Sequence, residues 1–204
     1  AGGHPMTGWS RRGFLNAGAV TAGLGVIGPA LAVTPAATPW RNWSGALSAT
    51  PAGRFVPAEE AELAEFLATS TGSVRPGGCG HSFSPQGPTD GHLVVIDQLT
   101  GLLDHDPDAM TATFAAGTRL GDMGAPLQQV GQAMLNLPDI DRQSLAGAIA
   151  TATHGTGIDF TSLSGMVTNL RLITPAGEVL DLSEATRPEM FAAACVSLGA
   201  LGII

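Results

Sequence analysis

Arg75-Pro-Gly-Gly-Cys-Gly-His-Ser82 is the stretch on which the reading of this chain turns. Three glycines within four residues let the backbone approach a ligand closely and aim several N–H groups at one point. That geometry makes a concavity for an anion such as a pyrophosphate. His81 follows directly, so whatever the loop holds brings its reactive end to an imidazole. The loop lacks the Lys-Ser/Thr ending of a nucleotide P-loop. Taken alone it reads equally well as a tight turn with a hydrogen-bonded histidine, and its surroundings decide.

Working upstream, Ser73-Val-Arg forms a short strand that feeds the loop. Before it, Ala58 to Ser70 carries Glu59, Glu60, Glu62 and Glu65 early and Leu63, Phe66 and Leu67 on one face. This is an amphipathic helix with favourable charge at its start. Arg54-Phe-Val makes a strand ending at Pro57, and Val33 to Thr50, with Trp40 and Trp43, reads as an extended lead-in. Downstream, Leu93 to Asp97 and Met110 to Ala115 read as strands, and Arg119 to Gly131 has a helical pattern. Ser144 to Thr153 is rich in small residues and runs into His154-Gly-Thr-Gly157. Val167 to Thr174 and Glu178 to Leu182 pair as a hairpin across Pro175 to Gly177. Glu189 to Leu198 reads as a helix, and Leu201 to Ile204 begins a strand, which leads to the expectation that the chain is a fragment. Asp104-His105-Asp106 falls in a turn among solvated charges, and with His92 it makes no convincing metal site.

Composition agrees with one packed domain of class α+β. Hydrophobic residues are 44% of the 204 and charged ones 13%, while 28 Gly and 14 Pro gather between the apolar runs. The net charge is −8, every basic residue is Arg, and no Arg stripe forms, which argues against a nucleic-acid partner. Cys79 sits in the glycine loop and Cys195 in an apolar run that reads as core, a pairing that favours two thiols over a disulfide. Residues 1–32 form a leader: Ser10-Arg11-Arg12-Gly13-Phe14-Leu15, an uncharged stretch from Ala17, and a small-x-small end at Ala30-Leu31-Ala32. The apolar stretch is shorter than a spanning helix needs, so no stable membrane insertion is expected after processing. The arginine pair resembles the twin-arginine export signal, whose pathway carries folded proteins, with a destination in the periplasm or outside the cell.

The order of motifs is specific. An extended Trp segment precedes Val-Arg-x-Gly-Gly-x-Gly-His-Ser-Phe-Ser. Gly117-Thr-Arg-Leu, Leu137-Pro-Asp-Ile, Gln143-Ser-Leu-Ala-Gly-Ala-Ile-Ala-Thr-Ala-Thr-His-Gly-Thr-Gly157, Leu170-Arg-Leu-Ile-Thr-Pro-Ala-Gly-Glu-Val and Ser197-Leu-Gly-Ala-Leu-Gly-Ile follow. Together, from Trp40 to Ile204, they resemble the sugar-1,4-lactone oxidase and alditol oxidase branch of the vanillyl-alcohol-oxidase-type (PCMH-type) flavoproteins. The resemblance implies an FAD-binding domain over 33–204, with two small sheets and flanking helices. It implies FAD joined covalently to His81, and a single linkage, because Cys79 does not occupy the cysteinyl position of doubly linked relatives.

The same resemblance implies that Pro76, Gly77, Gly78, Cys79, Gly80 and Ser82 hold the pyrophosphate. It places Ser144, Gly147, Thr151 and His154 along the cofactor, Asn136 near another contact, and the Ile203 backbone at the adenine end. For His154, satisfying a backbone carbonyl is the alternative. The implied reaction oxidises an alcohol group of a sugar lactone or polyol, with O₂ as electron acceptor and H₂O₂ as product. Transfer to a cytochrome or quinone, or cofactor binding without turnover, are the rival readings. The substrate cap and the residues that activate the hydroxyl are expected C-terminal to this domain, so no catalytic residue is assigned in this chain.

Overall fold

A computed structural model describes residues 34, 35 and 39–204, and the leader expectation lies outside the described residues. The element that places the loop is a four-stranded sheet. Its strands are β1 (Thr34–Pro35), β4 (Gly53–Phe55), β5 (Val74–Pro76) and β6 (His92–Val94), in the order β1-β4-β6-β5. β4 and β5 both run parallel to β6, and β1 is antiparallel to β4. Parallel strands of one sheet need a crossover, and helix α1 (Glu60–Thr69) supplies it between β4 and β5, which flank β6. As the spacing predicts, α1 buries Leu63, Phe66 and Leu67. They pack on Phe55, Val94 and Ile96, with the Phe55 and Phe66 rings stacked at 4.1 Å. The glycine loop therefore leaves a sheet edge whose strands are fixed from behind by a packed helix.

A second unit is the hairpin of β9 (Asn169–Ile173) and β10 (Val179–Ser183), turned at Pro175 to Gly177 as expected. Period-two burial puts Leu170, Leu172, Leu180 and Leu182 on one face, against Ala194 and Cys195 of α4 (Pro188–Cys195). On the other face Arg171 bonds its cross-strand partner Asp181 at 3.1 Å and Glu60 of α1 at 2.7 Å. The hydrogen bond that Arg171 donates to Glu60 holds the guanidinium above its ordinary value, although partial burial pulls the other way. Ile203 bridges to Ile173 and is buried in the cluster with Phe55 and Val94. A third apolar cluster joins Leu120, Met123, Leu127, Ile149 and Leu163.

Several boundaries differ from the sequence reading. The expected extended lead-in is a small hairpin, β2 (Trp40–Arg41) with β3 (Ser48–Ala49), closed around the buried Asn42 side chain. Asp104-His105-Asp106 is not a turn but part of β7 (Leu102–Asp106), paired with β8 (Thr111–Phe114). The turn starts later because the Asp106 carboxylate accepts from the N–H groups of Asp108 and Ala109, both at 2.9 Å. The expected helix over 119–131 is broken into a 3₁₀ turn at Leu120–Asp122 and α2 (Gly124–Gln129). Gly121 N–H bonds the Asp141 carbonyl instead of a helical partner, and Pro126 has no N–H to offer. The small-residue stretch contains a short helix, α3 (Leu145–Ala150). The class is α+β, with the strands divided among the four-stranded sheet and three two-stranded pairs.

Candidate functional site

The C-terminal end of β5 delivers Gly77, whose N–H is held by the Val94 carbonyl at 2.8 Å. Beyond it the pattern changes. Among the described residues, nothing accepts from the N–H groups of Gly78, Cys79, Gly80, His81 or Ser82. Gly80 has φ 70°, which turns the chain so that successive amides converge. Gly78 has a second reason to lack a side chain: a Cβ there would stand 2.6 Å from Ser144 Oγ. The loop thus presses on the start of α3, and the two expected cofactor segments are in contact.

The loop is clamped from outside. Trp43 N–H donates to the Gly80 carbonyl at 3.0 Å, and Asn42 Nδ2 donates to the Ser82 carbonyl at 3.2 Å. The Trp43 indole stacks on the His81 ring at 5.8 Å and 16°, fixing the plane of the imidazole. Arg75 donates to the carbonyls of Gln86 and Leu198, which ties the glycine loop to the segment after α4.

These segments enclose a cleft of about 350 Å³ lined by residues 76–84, 143–151 and 197–204 in large part. Among the described residues, no Asp, Glu, Arg or Lys lines it. An anion there would be met by backbone amides rather than by cationic side chains. The first N–H groups of α3 are not available for that task, because the Thr118 and Ala116 carbonyls take those of Leu145 and Ala146. Four buried side-chain polar atoms among the described residues have no hydrogen-bond partner, and three line this cleft: His81 Nδ1, Gln143 Oε1 and Ser197 Oγ. Such atoms cost free energy unless a ligand or water completes them. The set fits a large ligand with a diphosphate and further polar groups.

Of the residues expected from sequence, Pro76, Gly77, Gly78, Cys79, Gly80, His81, Ser82, Ser144, Gly147, Thr151 and Ile203 all line the cleft. Asn136 and His154 do not. Asn136 is spent on its own surroundings, accepting from Leu137 N–H at 2.9 Å and donating to the Thr156 carbonyl at 3.2 Å. His154 Nδ1 lies 2.8 Å from the Gly155 carbonyl, the alternative left open by the sequence. Sequence reasoning missed Trp40, Gln143, Ser197 and Leu198 as lining residues. Gln143 and Ser197 stand at the heads of two of the motifs quoted above, which was the signal that could have found them. Both cysteines are free, Cys79 half-buried in the cleft wall and Cys195 in the core, where burial pushes its thiol up.

Comparison with known proteins agrees with this geometry. An FAD binding domain family matches residues 51–183. L-gulono-1,4-lactone dehydrogenase of Mycobacterium tuberculosis is 42% identical over 168 residues, which are 81% of this chain and 39% of that protein. D-arabinono-1,4-lactone oxidase of Candida glabrata is 36% identical over 172 residues, 81% of this chain and 33% of the relative. Alditol oxidase of a Streptomyces species is 33% identical over 166 residues, 80% of this chain and 39% of the relative. The chain thus spans two fifths or less of the length of these relatives. The glycine loop, the α3 segment it presses on and the hairpin behind them all fall within the matched residues, and the chain belongs to the FAD binding domain family.

Proposed function

We propose that this chain forms the FAD-binding part of an exported oxidoreductase that oxidises a CH–OH group of a sugar lactone or polyol, with FAD in the cleft and bonded to His81. One observation carries the placement: among the described residues the amides from Gly78 to Ser82 have no acceptor, and the imidazole of His81 within that run has an unpartnered Nδ1. The amides of that run would hold the diphosphate. His81, held flat by Trp43, would form the bond to the flavin methyl group. When bound, FAD supplies a two-electron acceptor that takes hydride from an alcohol carbon. A tether also prevents cofactor loss where no FAD pool replaces it.

The decisive measurement is on protein loaded with FAD, precipitated in acid and washed. The wild type should stay yellow, and His81→Ala should release all its flavin. A colourless wild-type pellet sinks the covalent assignment.

For the overall reaction, the alcohol loses two hydrogens to become a carbonyl, and O₂ takes them as H₂O₂. This substrate class rests on the names of the relatives, two lactone-active proteins and an alditol oxidase. A second reading has a specific observation behind it. The 42% relative is named a dehydrogenase, whereas the 36% and 33% relatives are named oxidases. In that case the electrons pass to a cytochrome or quinone. Mixing reduced flavoprotein of the whole gene product with O₂ separates the two: rapid reoxidation with H₂O₂ supports the oxidase, and negligible reoxidation supports the dehydrogenase.

Export rests on Arg11, Arg12 and the small residues ending at Ala32. No helix among the described residues is long and apolar enough to cross a membrane. Replacing both arginines by lysine should strand full-length, flavin-loaded protein in the cytoplasm, and normal export of that double variant would refute the leader reading.

A further inference from the structure

Gln143 and Ser197 lie on different segments, yet share one feature. Each main chain is held without help from its side chain: the Gln143 carbonyl accepts from Leu120 N–H at 3.0 Å, and Ser197 is fixed by turn bonds to Ala194 and Ala200. Each side chain carries a buried oxygen that nothing among the described residues satisfies, and both residues line the cleft. The one bond of the Gln143 carboxamide, from Nε2 to Thr153 Oγ1, is long at 3.5 Å and orients Oε1 as the unpartnered atom. An oxygen that is buried and unpaired destabilises a fold unless a ligand completes it, and an apolar residue of similar shape would serve folding better.

We infer that Gln143 and Ser197 are cofactor-binding residues. Gln143 Oε1 accepts a hydrogen bond from an N–H or O–H donor of FAD, and the Ser197 hydroxyl makes a second bond to the same molecule. FAD carries suitable donors in its flavin imide, its ribityl and ribose hydroxyls and its adenine amino group. This assignment rests on the placement of FAD in the cleft, and it is independent of the covalent bond.

The test uses the full chain carrying His81→Ala, so that FAD binds reversibly, and reads two quantities: Kd from flavin fluorescence, and the melting temperature without FAD. Gln143→Met keeps length while removing the orphan oxygen, and Ser197→Ala removes the hydroxyl. Each should weaken FAD binding about tenfold while leaving the FAD-free melting temperature unchanged or raised. Ser197→Thr, which keeps a hydroxyl, should restore most of the affinity. Gly147→Leu is the control for the cleft itself, since its Cβ would meet only the rotatable Ser144 hydroxyl and its side chain would fill FAD space. If Gly147→Leu leaves Kd unchanged, the placement of FAD is wrong. If Gly147→Leu abolishes binding while Gln143→Met and Ser197→Ala leave Kd unchanged, only the present inference fails. A lower FAD-free melting temperature with unaltered Kd likewise overturns it, because that is the signature of a structural role. Should one variant fail to fold, the other carries the same pair of readouts.

Discussion

The β9–β10 hairpin and the cleft are neighbours built to opposite specifications. In the hairpin every apolar side chain on one face is buried, five residue pairs are in register, and Arg171 has two acidic partners on the other face. In the cleft, five consecutive amides and three side-chain atoms have no partner among the described residues. The same chain that satisfies its polar groups so fully in one place leaves them open two residues past β5, where Gly78 lies close against Ser144 at the start of α3. The difference teaches which part folds for itself and which part is completed by a ligand.

The largest effect that would break this contrast is in the hairpin. Leu172 is 2% exposed, and Leu172→Ala should cost about 2–5 kcal/mol, the usual range for a buried leucine. The loss should be equal with and without FAD in urea denaturation. A loss that disappears when FAD is added would mean that the hairpin depends on the ligand, and the contrast would fail.

Next comes the gain on binding. FAD at a hundredfold excess over Kd should stabilise the fold by about 2.7 kcal/mol by mass action. Amide hydrogen exchange should then slow most at Gly78 to Ser82, whose N–H groups have no internal acceptor, and least in β9 and β10. Equal slowing in both regions would show that FAD acts globally and not on the unpaired run.

The smallest effect concerns pH. Burial pushes the Cys195 thiol above its ordinary value, so the folded protein keeps that proton to higher pH than the unfolded chain does. The unfolded state therefore binds fewer protons above the ordinary thiol range, and stability falls as pH rises through it. The denaturation midpoint should drop as pH rises above the ordinary thiol value of about 8.5, and Cys195→Ala should flatten that drop. An unchanged slope in the variant would remove Cys195 as its source.

What could be read from the sequence follows the range of the interactions involved. Helix α1 and the β9–β10 hairpin were legible because their apolar periodicity and turn residues are local, and the glycine loop because three glycines need a local reason. The 119–131 region misled because its helical spacing is real, while Gly121 is claimed by Asp141 across the fold. β7 was hidden because its Asp and His residues look like turn residues until Asp106 is seen capping the turn beyond it. In the site, contiguous lining residues were legible, whereas Ser197 is brought to the cleft by long-range ties, among them Arg75 of β5 reaching the Leu198 carbonyl and Ile203 pairing with Ile173. Asn136 and His154 carry plausible side chains whose bonds are spent nearby.

One tie has a consequence for synthesis. Ile203 pairs with Ile173 and packs beside Phe55 and Val94, so residues almost 150 positions apart close the same core. A growing polypeptide on the ribosome has its glycine loop long before it has this closure. The wall from Ser197 to Ile204 emerges more than a hundred residues after the glycine loop, and only then are both sides of the cleft in place. Cofactor capture accordingly awaits translation of residue 203 and not merely the appearance of His81.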